Sequence, residues 1–266
     1  MLKHSNAYVF HGDVILQIPS LNYYLNKIKK SNFYFIKINH AFWDMLAAEG
    51  SAIKAYRCLF DKKLLKEVIK IIKNIDETNI ILAVNPMGGP MDSPQDIVDA
   101  ERRSVIASIA IKKLIPNNYI PHHAGIWKIE SRKNDLLNFF DYIRNHSVVV
   151  VGMEHLSEIK NTCNLVDFKH YKLSLRSSEQ KTRHKVLSDL IDLCQDSKQK
   201  IMLFQAGDLF STWLIYNMVQ SKKINNCSLI DMGRSLDMYC PNRTLTENDA
   251  KFAKKIGLLK DFPYQP

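Results

Sequence analysis

The chain has 266 residues, 46% of them hydrophobic and 24% charged, so it can bury a full core like an ordinary globular protein. No apolar run approaches the roughly 20 residues that span a bilayer, and the first residues lack the apolar stretch of a signal peptide. The five cysteines are scattered without a Cys-x-x-Cys pair, which argues against a disulfide framework and a structural zinc site. We therefore expect a cytoplasmic protein with no transmembrane segment.

The formal net charge of +10 favours anionic partners such as nucleotides, nucleic acid or acidic lipid headgroups. The lysines are spread over many segments, as Lys27, Lys29 and Lys30 and then Lys62 and Lys63 illustrate. Such a spread is typical of solvated helix faces, and no basic run is interleaved with the stacking aromatics that single-strand binders use. Nucleic acid is therefore the less favoured partner.

The predicted helices and strands follow one another in a regular order. In the first half, hydrophobic periodicity and capping residues predict helices over 20–30, 42–55, 62–74 and 94–114 and strands over 33–38 and 79–84. In the second half, strands over 147–151, 168–175, 201–205 and 228–230 alternate with helices over 132–144, 180–194 and 211–219. Strands separated by helical crossovers form a parallel sheet that is covered on both faces. We predict one α/β domain over 1–266, which could be subdivided into 1–130 and 131–266.

The common α/β signatures are missing from the sequence. It contains no Gly-x-Gly-x-x-Gly, no phosphate-loop Gly-x-x-x-x-Gly-Lys, no Gly-x-Ser-x-Gly and no His-Glu-x-x-His. These absences weigh against a dinucleotide oxidoreductase, a P-loop NTPase, an α/β-hydrolase and a zinc protease of the His-Glu-x-x-His type. The sequence therefore indicates a parallel α/β protein of another kind.

The most informative segment lies near the end of the chain, where an apolar strand runs into Asp231, Gly233, Arg234 and Asp237. In an open α/β sheet, ligands bind beyond the carboxyl ends of the strands. An aspartate there can accept hydrogen bonds from ribose hydroxyls, Gly233 allows close approach of a ligand, and Arg234 can fork onto a phosphate. The alternative is a turn in which the aspartates cap their own backbone. The position after a buried strand favours binding.

A second strand, over 201–205, also stops at a glycine and an acid, Gly207 and Asp208. A strand-to-helix junction of this kind has free backbone N–H groups that would bind phosphate. In the alternative interpretation, Ser211 or Thr212 is a plain N-cap of the following helix. The sequence favours neither interpretation over the other.

A third strand, over 147–151, ends at Gly152 and is followed by Glu154 and His155. These two side chains could form an acid/base pair. An exposed Glu-His pair at a helix start is common, however, and we favour that simpler interpretation.

Lys37, Asn39, His40 and Asp44 form the densest polar cluster of the first half, after the strand over 33–38. His40 and Asp44 lie four residues apart and would share one helix face, a spacing compatible with joint metal binding or acid/base catalysis. The alternative is a capped helix that packs its aromatic side chains inward. The sequence leaves both open.

Three segments of the second half, 148–152, 201–207 and 229–237, together resemble the C-terminal half of the GT-D fold glycosyltransferases, a Rossmann-like class that acts on nucleotide-sugars. The resemblance implies a Rossmann-like, mostly parallel α/β sheet with helices on both faces. It also implies transfer of a sugar from a nucleotide-sugar donor, with a UDP-sugar as one candidate, to a glycan or glycosylated acceptor. The residues that it assigns to nucleotide-sugar binding are Lys37, Asn39, Gly152, Gly207, Asp208, Asp231, Gly233, Arg234 and Asp237.

The chain departs from this family at the metal-binding motif. The family strand that resembles 33–38 leads into an acid-x-acid motif, whereas here it leads into Asn39-His40-Ala41-Phe42-Trp43-Asp44. Either His40 and Asp44 supply replacement ligands for Mn²⁺ or Mg²⁺, or the protein works without a metal, or it has lost activity. The metal ligands are therefore unknown at this stage, and His40 and Asp44 are also the candidate general bases for the acceptor hydroxyl.

Without a metal, another source of positive charge would have to stabilise the departing diphosphate. Lys37, Arg234 and the backbone amides around Gly207 are the available groups.

Two other classes of function remain open. A non-catalytic nucleotide-sugar-binding or glycan-binding protein would keep the Asp231 site and lack the chemistry. A basic nucleic-acid-associated protein would use the net charge instead, and its affinity would fall steeply with salt.

Overall fold

The computed structural model describes residues 7–11, 14–30, 32–47, 61–85, 94–128, 136–174, 176–195 and 198–241. The strands are β1 Ala7–His11, β2 Val14–Ile18, β3 Tyr34–Ile38, β4 Ile81–Val84, β5 His122–His123, β6 Ser147–Gly152, β7 Asp167–Lys172, β8 Lys200–Gln205 and β9 Cys227–Asp231. The α-helices are α1 Leu21–Lys30, α2 His40–Ala47, α3 Lys62–Lys73, α4 Pro94–Leu114, α5 Leu136–Ile143, α6 Ile159–Thr162, α7 Gln180–Asp192 and α8 Asp208–Gln220. Short 3-10 helices cover Ile75–Glu77, Glu154–Glu158 and Gly233–Tyr239.

The nine strands form one sheet in the order β1, β2, β5, β4, β3, β9, β8, β6, β7. Every neighbouring pair is parallel except β1 and β2, which are antiparallel at one edge. Strands from both halves of the chain meet at the β3 and β9 pair in the middle of the sheet. This architecture confirms the predicted α/β class with a mostly parallel sheet.

Helices cover the sheet on both faces, and the side-chain alternation of the strands separates two cores. In β6, Val149 and Val151 face the core that is formed with α2, α3, α4, α7 and α8. Val148 and Val150 face the opposite core, formed with α1, α5, α6 and the 3-10 helices that follow β6 and β9. A strand that is apolar on both faces suits the centre of a covered parallel sheet. Among the helices that the structure describes, none combines the length and apolarity of a membrane span.

The start of α8 differs from the prediction. The sequence pattern places this helix at 211–219 and leaves open whether Ser211 or Thr212 is its N-cap, but the helix begins at Asp208 and both residues are buried inside it. The reason is Gly207, whose φ of 83° turns the chain from β8 directly into the helix. The Ser211 hydroxyl then accepts a hydrogen bond from the Ala206 backbone N–H at 3.2 Å.

One ionic network around the buried Arg183 joins α3, α7 and α8 on one face of the sheet. The Arg183 side chain, only 2% exposed, donates to Glu67 Oε1 at 2.7 Å and to Asp61 Oδ2 at 3.4 Å. Glu67 Oε2 accepts from the Trp213 indole at 2.6 Å, and the Arg183 guanidinium lies over that indole ring. Asp61 also caps α3 by accepting from the Lys63 backbone N–H. A buried cation of this kind is stable only while its partners remain.

Replacing Glu67 by Ala should therefore lower the free energy of unfolding by about 3 kcal/mol. The substitution leaves the buried Arg183 with only its 3.4 Å contact to Asp61, and it removes the acceptor of the Trp213 indole N–H. Urea denaturation measures the difference. The exposed Glu77→Ala is the matched control and should change stability by less than about 0.5 kcal/mol. Equal effects of the two substitutions would contradict a structural role for the network.

Candidate functional site

The parallel pairing brings four strand ends to one side of the sheet, which we call the carboxyl edge. It consists of the ends of β3, β9, β8 and β6, which are neighbours in that order. Within the pairing, Phe204 lies opposite Asp231 and Gly152 lies opposite Gln205, so these strands end at nearly the same level. The loops and helix starts that follow them hold most of the residues predicted from the sequence.

Asp231, the last residue of β9, is 1% exposed. Its Oδ1 atom accepts from the Gly233 backbone N–H at 3.0 Å, while Oδ2 is buried without a hydrogen-bond partner among the described residues. Burial raises the pKa of this carboxyl to about 7; the Lys37 ammonium opposes the rise, and Asp208 adds to it. The segment is thus a capped turn, as the alternative interpretation held, and it also presents a perturbed carboxyl of the kind that marks functional sites.

Lys37 projects from β3 toward the turn that follows β9. The side chain is buried at 6% exposure, and its Nζ atom donates to the Met232 carbonyl oxygen at 3.1 Å. Gly233 has a φ of 49°, and a Cβ atom at this position would collide with Nζ and Cε of Lys37. Only glycine therefore allows both the turn and the approach of the lysine.

Asn39 and Asp208, both predicted to bind the nucleotide-sugar, contact each other across the carboxyl edge. The Asn39 backbone N–H donates to Asp208 Oδ2 at 2.8 Å, and the Asn39 side-chain amide donates to Asp208 Oδ1 at 3.0 Å. Asp208 is the first residue of α8, and Asn39 lies between β3 and α2. This double hydrogen bond fixes the turn after β3 against the start of α8.

Asp237 collects three donors from three different strand ends. Its Oδ1 atom accepts from Gln205 Nε2 at 2.6 Å and contacts His155 Nε2 at 3.2 Å, and its Oδ2 atom accepts from Arg234 Nε at 3.0 Å. The Asp237 side chain is only 3% exposed. Since a buried carboxylate is costly unless it is paired and hydrogen-bonded, these donors explain why it is tolerated there.

Arg234 faces outward from this cluster. Its side chain is 59% exposed, and Asp237 holds it through Nε. An arginine fixed at Nε presents its two terminal nitrogens as a planar fork, the geometry that matches a phosphate or carboxylate. The guanidinium is thus oriented for an anionic ligand.

The two predicted binding glycines of the neighbouring strands have different roles. Gly207 is exposed, its φ is positive, and a Cβ atom there would meet nothing within 4 Å, so the backbone at the start of α8 is open. Gly152 is buried, and a Cβ atom there would meet the Leu156 side chain and the Gln205 carbonyl oxygen. The structure therefore gives Gly152 a packing role and leaves Gly207 as the accessible glycine.

The predicted catalytic residues His40 and Asp44 both lie in α2, which follows β3 directly. They are four residues apart in this helix, as the sequence analysis expected. Their side chains lie outside the described part of the structure, and their catalytic role stays a prediction.

Two members of the cluster were not predicted as site residues, His155 and Gln205. The sequence pattern predicts an exposed His155 at a helix start, but its side chain is only 15% exposed and contacts Asp237. Gln205 is the last residue of β8. The sequence signal for both was their place at a strand end of a parallel sheet, next to Gly152 and Gly207.

The resemblance to metal-dependent transferases raises the question of whether a divalent cation fits here. The carboxylates of Asp208 and Asp237 already accept hydrogen bonds at both oxygens, and Asp231 has a raised pKa and the Lys37 ammonium nearby. Among the described residues no group of three or more His, Cys, Asp or Glu side chains could hold a metal ion. Mg²⁺ and Mn²⁺ are held by several oxygen ligands at once, and the described side chains do not assemble such a set, so they do not fit such an ion.

No family model matches the sequence, and no curated protein matches it either. Among solved structures, the chain is similar to one described as the highly conserved domain of unknown function 1792, which has a distinct glycosyltransferase fold. The match covers 93% of this chain and 85% of that one, with a TM-score of 0.60 and 11% sequence identity. This similarity shows the fold, and it confirms the predicted resemblance to the GT-D type at that level. The chain therefore has a Rossmann-like glycosyltransferase fold.

Replacing Asp231 by Asn should change how stability depends on pH. Because the folded pKa of about 7 lies above the carboxyl's ordinary value of 3.8, the carboxyl favours folding at low pH and loses that contribution as pH rises through 7. The wild type should therefore lose about 2 kcal/mol of unfolding free energy from pH 5 to pH 8 that the Asn variant does not lose. Urea denaturation at both pH values measures this. Asp76→Asn, at an exposed position, is the control. If the stability difference between Asp231→Asn and the wild type were the same at pH 5 and pH 8, the raised pKa of the buried carboxyl would be contradicted.

Proposed function

We propose that the protein is a glycosyltransferase that binds a nucleotide-sugar at the carboxyl edge and transfers the sugar to a glycan or glycosylated acceptor. The observation that carries the proposal is the convergence of Lys37, Asp231, Gly233, Arg234 and Asp237 on this edge of a glycosyltransferase fold. Ligands of open α/β sheets bind at this position.

The donor diphosphate would lie against the two cations of the edge. Arg234 offers its terminal nitrogens to phosphate oxygens, and Lys37 supplies a buried ammonium whose field is weakly screened. Because the pKa of Asp231 is about 7, part of this carboxyl population is neutral near pH 7 and does not cancel the lysine charge. The Lys37 charge thus remains available to a diphosphate.

In the transfer step, negative charge grows on the leaving diphosphate as the bond between the sugar and the phosphate oxygen breaks. Fixed cations and helix N–H groups that face this charge stabilise the transition state without having to reorganise. Lys37, Arg234 and the open backbone at Gly207 fill these roles in the proposal. Asp208 and Asn39 act as positioning residues because they fix the start of α8 against β3.

We further propose that the protein works in the cytoplasm. Cys163, Cys194, Cys227 and Cys240 are buried as thiols rather than as disulfides. Thiols remain reduced in that compartment. Nucleotide-sugar donors of a cytoplasmic enzyme need not cross a membrane to reach it.

A thermal-shift panel of nucleoside diphosphates and nucleotide-sugars, each with Mn²⁺ and with a chelator, tests the proposal. A donor at a hundredfold excess over its Kd stabilises the native state by about 2.7 kcal/mol, which raises Tm by about 5–10 °C for a chain of this size. Since the described side chains do not fit a divalent cation, we expect the rise in chelator as well. A shift that requires Mn²⁺ would contradict the role given to Lys37 and Arg234.

The matched pair of variants for this panel is Arg234→Ala and Arg144→Ala. Both arginines pair with an aspartate three residues away, but Arg144 precedes β6 at the opposite edge of the sheet. Loss of a charged hydrogen-bonding fork should weaken the nucleotide about 10- to 100-fold in Arg234→Ala only. Equal weakening in both, or binding that scales with salt for any polyanion, would favour the nucleic-acid alternative. Binding without turnover would favour the non-catalytic one.

A further inference from the structure

His155 and Asp237 form a histidine–carboxylate pair at the carboxyl edge. They lie 82 residues apart in the sequence, on the two 3-10 helices that follow β6 and β9, and His155 Nε2 is 3.2 Å from Asp237 Oδ1. The His155 side chain is 15% exposed, whereas the Asp237 side chain is 3% exposed. The buried member is therefore the carboxylate, and the imidazole lies between it and the surface.

The contact determines which nitrogen of His155 is available. Asp237 accepts from Gln205 and from Arg234, and an ionised carboxylate has only acceptor atoms, so His155 Nε2 must be the donor in this pair. In the neutral imidazole the lone pair is then on Nδ1. A histidine held in one tautomer by a buried carboxylate is the arrangement that general bases use.

Asp237 also connects this imidazole to the cation assigned to the donor. One carboxylate oxygen contacts His155, and the other accepts from Arg234 Nε. Groups held on the two oxygens of one carboxylate are close in space, and their separation is fixed. Asp237 would therefore position both the base, His155, and the phosphate-binding Arg234 relative to the leaving diphosphate.

We propose that His155 is the general base of the transfer, in place of His40 and Asp44, and that Asp237 is its positioning residue; this inference rests on the glycosyltransferase function proposed above. Nδ1 takes the proton of the acceptor hydroxyl as that oxygen bonds to the anomeric carbon. The bond between the anomeric carbon and the diphosphate oxygen breaks, and the electron pair leaves with the diphosphate. The Asp237 carboxylate stabilises the imidazolium that results.

His155→Gln separates this role from a structural one. The glutamine amide can still donate to Asp237 but cannot take a proton at neutral pH. We expect the Tm to stay close to that of the wild type and the donor Kd to stay within about twofold, while kcat falls about 100-fold or more and KM changes little. A purely structural clamp would instead lower Tm or weaken the donor and leave kcat unchanged.

Rescue by a small base supplies a second readout. His155→Ala leaves a space at a partly exposed position, and added imidazole should raise the kcat of this variant at least tenfold. The matched control is His146→Ala, a half-buried histidine that precedes β6 at the opposite edge and packs on Tyr142. Its kcat should stay near wild type and should not respond to imidazole.

The outcomes distinguish the two proposals. If the wild type binds no nucleotide-sugar, the proposed function fails, and the inference fails with it. If the donor binds normally in His155→Gln and kcat is retained, His155 is not the base and the proposed function stands. A loss of kcat that imidazole does not restore in His155→Ala also overturns the inference.

Discussion

The parallel pairing of β3, β9, β8 and β6 is the constraint on which the rest of the structure depends. A shift of one residue in any of these pairs would turn every side chain of that strand to the opposite face, so that Val150, for example, would enter the other core. The register that buries the two cores therefore also fixes the level at which each strand ends. The polar groups of the carboxyl edge come from four separate segments of the chain, and their distances follow from that register.

The three carboxylates of this edge, of which Asp231 and Asp237 are buried and Asp208 is partly buried, are held in three different ways. Asp208 accepts at both oxygens from one asparagine, and Asp237 contacts donors from three strand ends. Asp231 accepts from a single backbone N–H and lies near the Lys37 ammonium. Fully satisfied polar groups in a low dielectric are rigid, whereas an incompletely satisfied one titrates readily. Asp208 and Asp237 thus act as fixed anchors, and Asp231 is the acid whose charge responds to its surroundings.

Much of the fold could be predicted from the sequence because local patterns encode it. The apolar run of β6 and the Pro94 start of α4 are found where the periodicity places them. The start of α8 could not be predicted, since it depends on the positive φ of Gly207. In addition, Ser211 is a residue type that is common at N-caps, although it lies inside the helix. The roles of His155 and Gln205 were missed for another reason: the sequence places both at strand ends, but it does not reveal that both contact a carboxylate from a distant segment.

The double hydrogen bond between Asn39 and Asp208 has a consequence for how the protein is made. Its partners are 169 residues apart, and the contact of Lys37 with Met232 spans 195. Contacts of such long sequence separation close late in folding, because the loop entropy is lost before they form. During synthesis, the contacts between the end of β3 and the segment around β9 can form only after β9 has left the ribosome. A chain released before that point lacks the part of the carboxyl edge that β9 and the following turn supply.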